Sequence, residues 1–142
     1  EQSSQTPLIR ADMRRLPLQK NRFDAVWSAA GLVHLTKADF GSLLKAIRLT
    51  MRTGGRFGGT FTFGTRSGPL KGSWLPGRYF SRWQKGELAR MVRGAGFVLE
   101  TLEVVSNRER KGRWLNLIAR KREGPNPRFK RVPAKIRSGR TR

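Results

Sequence analysis

The chain has 142 residues, with 37% hydrophobic residues and 31 Lys and Arg against 9 Asp and Glu, for a formal net charge of +22. That is the length of one domain, and the charge surplus favours polyanionic partners. No apolar run approaches the roughly 20 residues needed to cross a bilayer, which argues against membrane insertion; the lack of Cys excludes disulfides and thiolate chemistry, and one His with few carboxylates argues against a buried zinc site.

Glu1 to Thr6 are polar, and the first residue is Glu rather than Met, which reads as a processed chain or a piece of a longer one. Residues 7–12, Pro-Leu-Ile-Arg-Ala-Asp, read as a short strand that ends on a carboxylate. Leu16-Pro17-Leu18 turns the chain, and Phe23 to Trp27 is a compact strand of aromatic and β-branched character. From Lys37 to Met51 the period changes, with Phe40, Leu43, Leu44, Ile47 and Met51 on one helical stripe. Thr36 is the expected N-cap and Gly54 the expected left-handed stop. Arg56 to Phe63 then alternates Phe57, Phe61 and Phe63 as a strand.

Residues 64–78 hold Gly64, Gly68, Gly72, Gly77, Pro69 and Pro76, a loop long enough to signal function or mobility. Helical spacing returns at Leu88, Met91, Val92 and Ala95, ended by Gly94 and Gly96. Two strands follow, 97–105 and 113–119, around a polar turn. Residues 120–142 carry ten basic residues and one acidic residue, and with so little apolar content they cannot bury a core of their own. The expected division is residues 1–121 as a partial α/β domain and 122–142 as a basic tail, disordered or ordered on RNA.

The ordered set formed by 11–18 (Ala-Asp-Met-Arg-Arg-Leu-Pro-Leu), 23–28 (Phe-Asp-Ala-Val-Trp-Ser), 32–35 (Leu-Val-His-Leu), 43–49 leading into Arg52-Thr53-Gly54-Gly55, and Ala95-Gly96-Phe97 resembles the C-terminal portion of a class I S-adenosylmethionine-dependent methyltransferase, of the type 11-like group. The resemblance implies an incomplete Rossmann-like sheet, mostly parallel and closed by an antiparallel hairpin. Carried over by position, it places Asp12 at the adenine amino group, Met13 on the adenine ring, Ser28 and Ala29 at the methionine end of the cofactor, and His34 beside the substrate as a candidate base. Arg78 and Tyr79 fall where such enzymes insert substrate-recognition elements.

The family opens with a strand, an acidic glycine-rich turn and a second strand ending in a carboxylate, and neither strand is found before Pro7. Gly54-Gly55 does not replace the turn, because it precedes a strand, whereas a nucleotide-binding turn follows one and opens a helix. In the family sheet, whose strands run third, second, first, fourth, fifth, seventh, sixth, residues 7–12 are the third and pair only with the second. The expectation is therefore a sheet with an exposed edge that needs an N-terminal segment, a partner protein or a rearranged first strand. S-adenosylmethionine is the implied cofactor if that half is supplied; these residues alone are expected to be inactive.

Blander readings stand beside these. Asp12 can serve as a strand-end carboxylate that bonds nearby amides, and His34, between Val33 and Leu35, can be a packed histidine. Trp27 and Trp114 read as core residues, while Trp74 and Trp83, in and near the long loop, read as substrate-binding or base-stacking candidates. In the tail, Arg128, Lys130, Arg131, Lys135, Arg137 and Arg140 are the candidate phosphate contacts for RNA or another polyanion. The alternative to an enzyme is a non-catalytic methyltransferase-like, RNA-binding component of a ribonucleoprotein such as an organellar ribosome.

Overall fold

In the computed structural model, residues 6–69, 76–107 and 112–124 are described. Trp74 and the tail positions from Arg128 to Arg140 lie outside them. Strand β1 (Phe23–Ser28) leads through a 3-10 turn (Leu32–His34) to helix α1 (Lys37–Thr50) and the long strand β2 (Met51–Phe63). Three two-residue strands follow, β3 (Gly68–Pro69), β4 (Tyr79–Phe80) and β5 (Arg82–Trp83), then helix α2 (Lys85–Gly94) and the hairpin β6 (Phe97–Asn107) and β7 (Gly112–Lys121).

The main sheet has the order β1-β2-β7-β6, with β5 pairing β2 separately. β1 and β5 run parallel to β2, while β7 is antiparallel to both β2 and β6. This is a mixed α/β sheet in the expected fourth, fifth, seventh, sixth order.

Helix α1 forms where its apolar stripe predicts. The Thr36 hydroxyl accepts from the Asp39 amide at 3.1 Å, and Phe40, Leu43, Leu44 and Ile47 are buried. They meet Phe57, Phe61, Leu88, Val92, Leu115 and Leu117 in one core between the helices and one face of the sheet. Each fully buried aliphatic or aromatic side chain here contributes about 1.5–3 kcal/mol.

The expected strand at 7–12 does not form. Leu8 and Ile9 are 92% and 64% exposed, because a strand needs a neighbour to take its backbone hydrogen bonds and no strand lies beside this one among the described residues.

Two further expectations are corrected. Gly54 has φ +76°, yet it does not stop the helix: β2 begins at Met51, and the pairing jumps from Phe23↔Met51 to Ala25↔Arg56. The glycine turns a bulge inside the strand, where a left-handed residue is tolerated. Trp27, expected in the core, is 63% exposed. It pairs with Gly58, on the face opposite Val26 and Phe57, and its ring lies over that glycine, so that a Cβ there would run into the indole. Trp114 pairs with Thr62 on the same outer face and is half-buried.

Candidate functional site

Parallel β1 ends at Ser28, opposite Gly59, while β2 continues to Phe63. Ligands of open α/β sheets bind outside such carboxyl ends. Beyond Ser28 the chain bends at Ala30, a non-glycine residue with φ +53°. Its amide donates to the Thr60 hydroxyl at 2.8 Å, a side-chain bond that offsets a left-handed backbone. Ser28 is half-buried, and Ala29 is exposed beside it.

The 3-10 turn then buries Leu32 and Val33 and holds His34 half-buried at its end. His34 Nδ1 lies 3.0 Å from the Tyr79 carbonyl oxygen. That oxygen can only accept, so Nδ1 carries the proton and, in the neutral ring, Nε2 keeps its lone pair. Phe80 stands edge-on to the imidazole, with ring centroids 4.5 Å apart.

Residues 79–83 are anchored through Ser81. Its amide and hydroxyl donate to the Val33 carbonyl at 2.7 and 3.1 Å. The Ser81 hydroxyl accepts from Trp83 Nε1 at 3.1 Å, and the Ser81 carbonyl accepts from the Thr62 hydroxyl at 2.5 Å. These bonds bring the segment after the long loop onto the ends of the turn and of β2.

Of the expected site residues, the structure brings His34 to the Tyr79 carbonyl and sets Ser28 at the end of β1 with Ala29 just beyond it. Arg78, which precedes Tyr79 in the chain, is exposed. Trp83 is not available to a ligand: it is fully buried, 5.2 Å centroid to centroid from Phe40, with the Lys37 ammonium 5.1 Å over its ring. Its spacing from Phe80 and Ser81 gave no sign of this, because the strand that buries it is two residues long. The sequence reading also missed Ser81 and Thr60; a small polar residue inside the run Tyr79 to Trp83 was the available signal for the first.

Asp12 takes the bland geometry. Its carboxylate accepts from the Arg14 amide at 2.9 Å and from the Arg14 guanidinium at 2.7 to 3.1 Å, while its carbonyl accepts from the Arg15 amide at 2.9 Å. The hydrogen bonds from the Arg14 side chain, then its amide, lower the Asp12 pKa to about 2. Met13 is 37% exposed in the same turn.

These residues do not by themselves fit S-adenosylmethionine. The Asp12 carboxylate is committed to Arg14, and among the described residues no glycine-rich turn joins a strand to an α-helix. Among them, too, there is no group of His, Asp and Glu that could hold a metal ion and no helix long and apolar enough to cross a membrane.

Residues 1–58 match the family described as a methyltransferase domain. No curated protein matches the chain. Among solved structures, the chain is similar to the 1,6-didemethyltoxoflavin-N1-methyltransferase of Burkholderia thailandensis, a structure with S-adenosylhomocysteine bound, at 23% identity and TM-score 0.68 over 81% of this chain and 50% of that one. A methyltransferase of Methanosarcina mazei described as S-adenosylmethionine-dependent gives 14% identity and TM-score 0.67 over 79% and 65%. One from Mesorhizobium loti gives 18% and 0.62 over 80% and 68%. The chain therefore spans half to about two thirds of the length of these structures.

Proposed function

We propose that this chain belongs to the class I S-adenosylmethionine-dependent methyltransferases, a reading supported by the match of residues 1–58 to a methyltransferase domain, and forms the acceptor-facing half of such an enzyme. The observation that supports the reading is His34, shortly beyond the carboxyl end of β1 at Ser28, fixed by the Tyr79 carbonyl so that Nε2 is free to take a proton. The chain's own contribution is then to border the acceptor and hold that proton, while S-adenosylmethionine, seated with the help of a segment outside these residues, supplies the methyl group. Alone, the 142 residues are inactive.

Calorimetric titration with S-adenosylmethionine tests this. No binding is expected for the 142 residues, and binding is expected for a natural chain that carries an acidic residue and a glycine-rich turn upstream. Binding by the 142 residues alone would overturn the division of roles. In the longer chain, His34→Ala lowers methyl transfer by about 10²–10⁴-fold and leaves cofactor binding unchanged.

The net charge of +22 favours a second reading, a non-catalytic RNA-binding component of a ribonucleoprotein that holds phosphates through the tail. Deletion of residues 123–142 should then weaken RNA binding and flatten its salt dependence; unchanged affinity removes the tail from that role.

A further inference from the structure

On the side of the sheet away from Trp27, the helices α1 and α2 leave an open groove of about 380 Å³ between them. It is lined by Ala38, Gly41 and Ser42 of α1, by Met91 and Gly94 of α2 and by Ala95 just after it, with the cations Lys37, Lys45 and Arg90 beside them. At Gly41 a side chain would press on the Met91 sulfur, at 3.1 Å from the first added carbon, so the methionine would have to shift by a few tenths of an ångström.

The three cations are not equivalent. Lys37 is held by Glu87 at 2.6 Å. Lys45 and Arg90 are exposed and make no ion pair among the described residues. Arg48 extends the row along α1, its Nε donating to the Gly96 carbonyl at 3.2 Å, and Arg93 extends it along α2. The two helices carry six basic residues against Asp39 and Glu87. The first carboxylate bonds Thr36 and the second bonds Lys37, so neither opposes Lys45 or Arg90.

We infer that this groove is a docking site for the sugar-phosphate backbone of a nucleic acid, with Lys45 and Arg90 as its phosphate contacts. Apart from Met91 the uncharged lining is small enough for a backbone to approach, the free cations match a row of phosphates, and an open trough without aromatic walls suits a chain of charges better than an enclosed small molecule. The inference rests on the nucleic-acid reading of the charge, yet uses residues separate from the tail and from the His34 site.

The test is fluorescence anisotropy of the full chain with a labelled mixed-sequence single-stranded RNA across 50 to 400 mM salt. Two phosphate contacts contribute a slope of about 1.4 in log affinity against log salt. K45A/R90A is therefore expected to flatten the slope by about that amount and to weaken binding about 10-fold or more near 100 mM salt. A second variant, R128A/K130A/R131A, reports the tail independently.

If the parent chain binds no RNA at 50 mM salt, both the nucleic-acid reading and the groove fall. If it binds, and only the tail variant is weaker, the groove alone is refuted. Equal binding and equal loss with a poly-glutamate peptide would assign the groove to acidic protein and overturn the inference. Circular dichroism of K45A/R90A is expected to match the parent, since both side chains are exposed.

Discussion

Asp12 lies in an exposed turn, and its pKa is nonetheless about 2 against an ordinary 3.8. Hydrogen bonds from Arg14 stabilise the ionised form most. A carboxylate depressed in the folded state adds stability that is fully present above the unfolded value and is lost as pH falls from 3.8 through about 2. Arg14→Ala should return the Asp12 titration toward 3.8, measurable by NMR of the side-chain carboxyl carbon. An unchanged midpoint would show that the pair does not form. Gly58 poses a steric question instead. A side chain there collides with the Trp27 ring, so Gly58→Val should cost about 1–3 kcal/mol in urea unfolding and displace the indole; full retention of stability would mean that the ring does not lie on the strand.

Between elements, Ser81 is the joint that ties β5 to the 3-10 turn. Its hydroxyl is the hydrogen-bond acceptor for the fully buried indole of Trp83. Ser81→Ala leaves that N–H without a partner, at about 1–3 kcal/mol. The expected readout is a lower urea midpoint with an unchanged slope; an unchanged midpoint refutes the role. Such joints explain what could be read in the sequence. The stripe from Phe40 to Ile47 and the alternation of Phe57, Phe61 and Phe63 are local patterns, and α1 and the body of β2 follow from them. β4 and β5 are two residues each and hold no period to detect. The start of β2 was misplaced because Gly54 looks the same in a helix stop and in a bulge. The His34 to Tyr79 bond links residues 45 apart, a contact that no local pattern encodes, so the histidine could be singled out but its partner could not. Residues 7–12 have the composition of a strand, but among the described residues no strand lies beside them to take their backbone hydrogen bonds.

Across the whole molecule, one face of the sheet carries the core and the other is bare. Trp27, Ile118 and Val98 are 63%, 38% and 37% exposed, and among the described residues β1 pairs on one side only. A free strand edge beside an exposed tryptophan is a template for further pairing. The net charge of +22 opposes that pairing at low ionic strength, but screening shortens its reach from about 10 Å at 0.1 M salt to about 3 Å at 1 M. These 142 residues should therefore self-associate as salt rises, seen by light scattering as growing mass between 0.1 and 1 M sodium chloride. Trp27→Lys should suppress the growth, because it puts a charge on the bare face next to the edge and removes the largest apolar group there. A parent chain that stays monomeric at 1 M salt and unfolds in a single cooperative step would mean that the face and the edge need no cover. The converse, growth in the parent and none in the variant, would locate the contact at β1, where a neighbouring strand would have to dock.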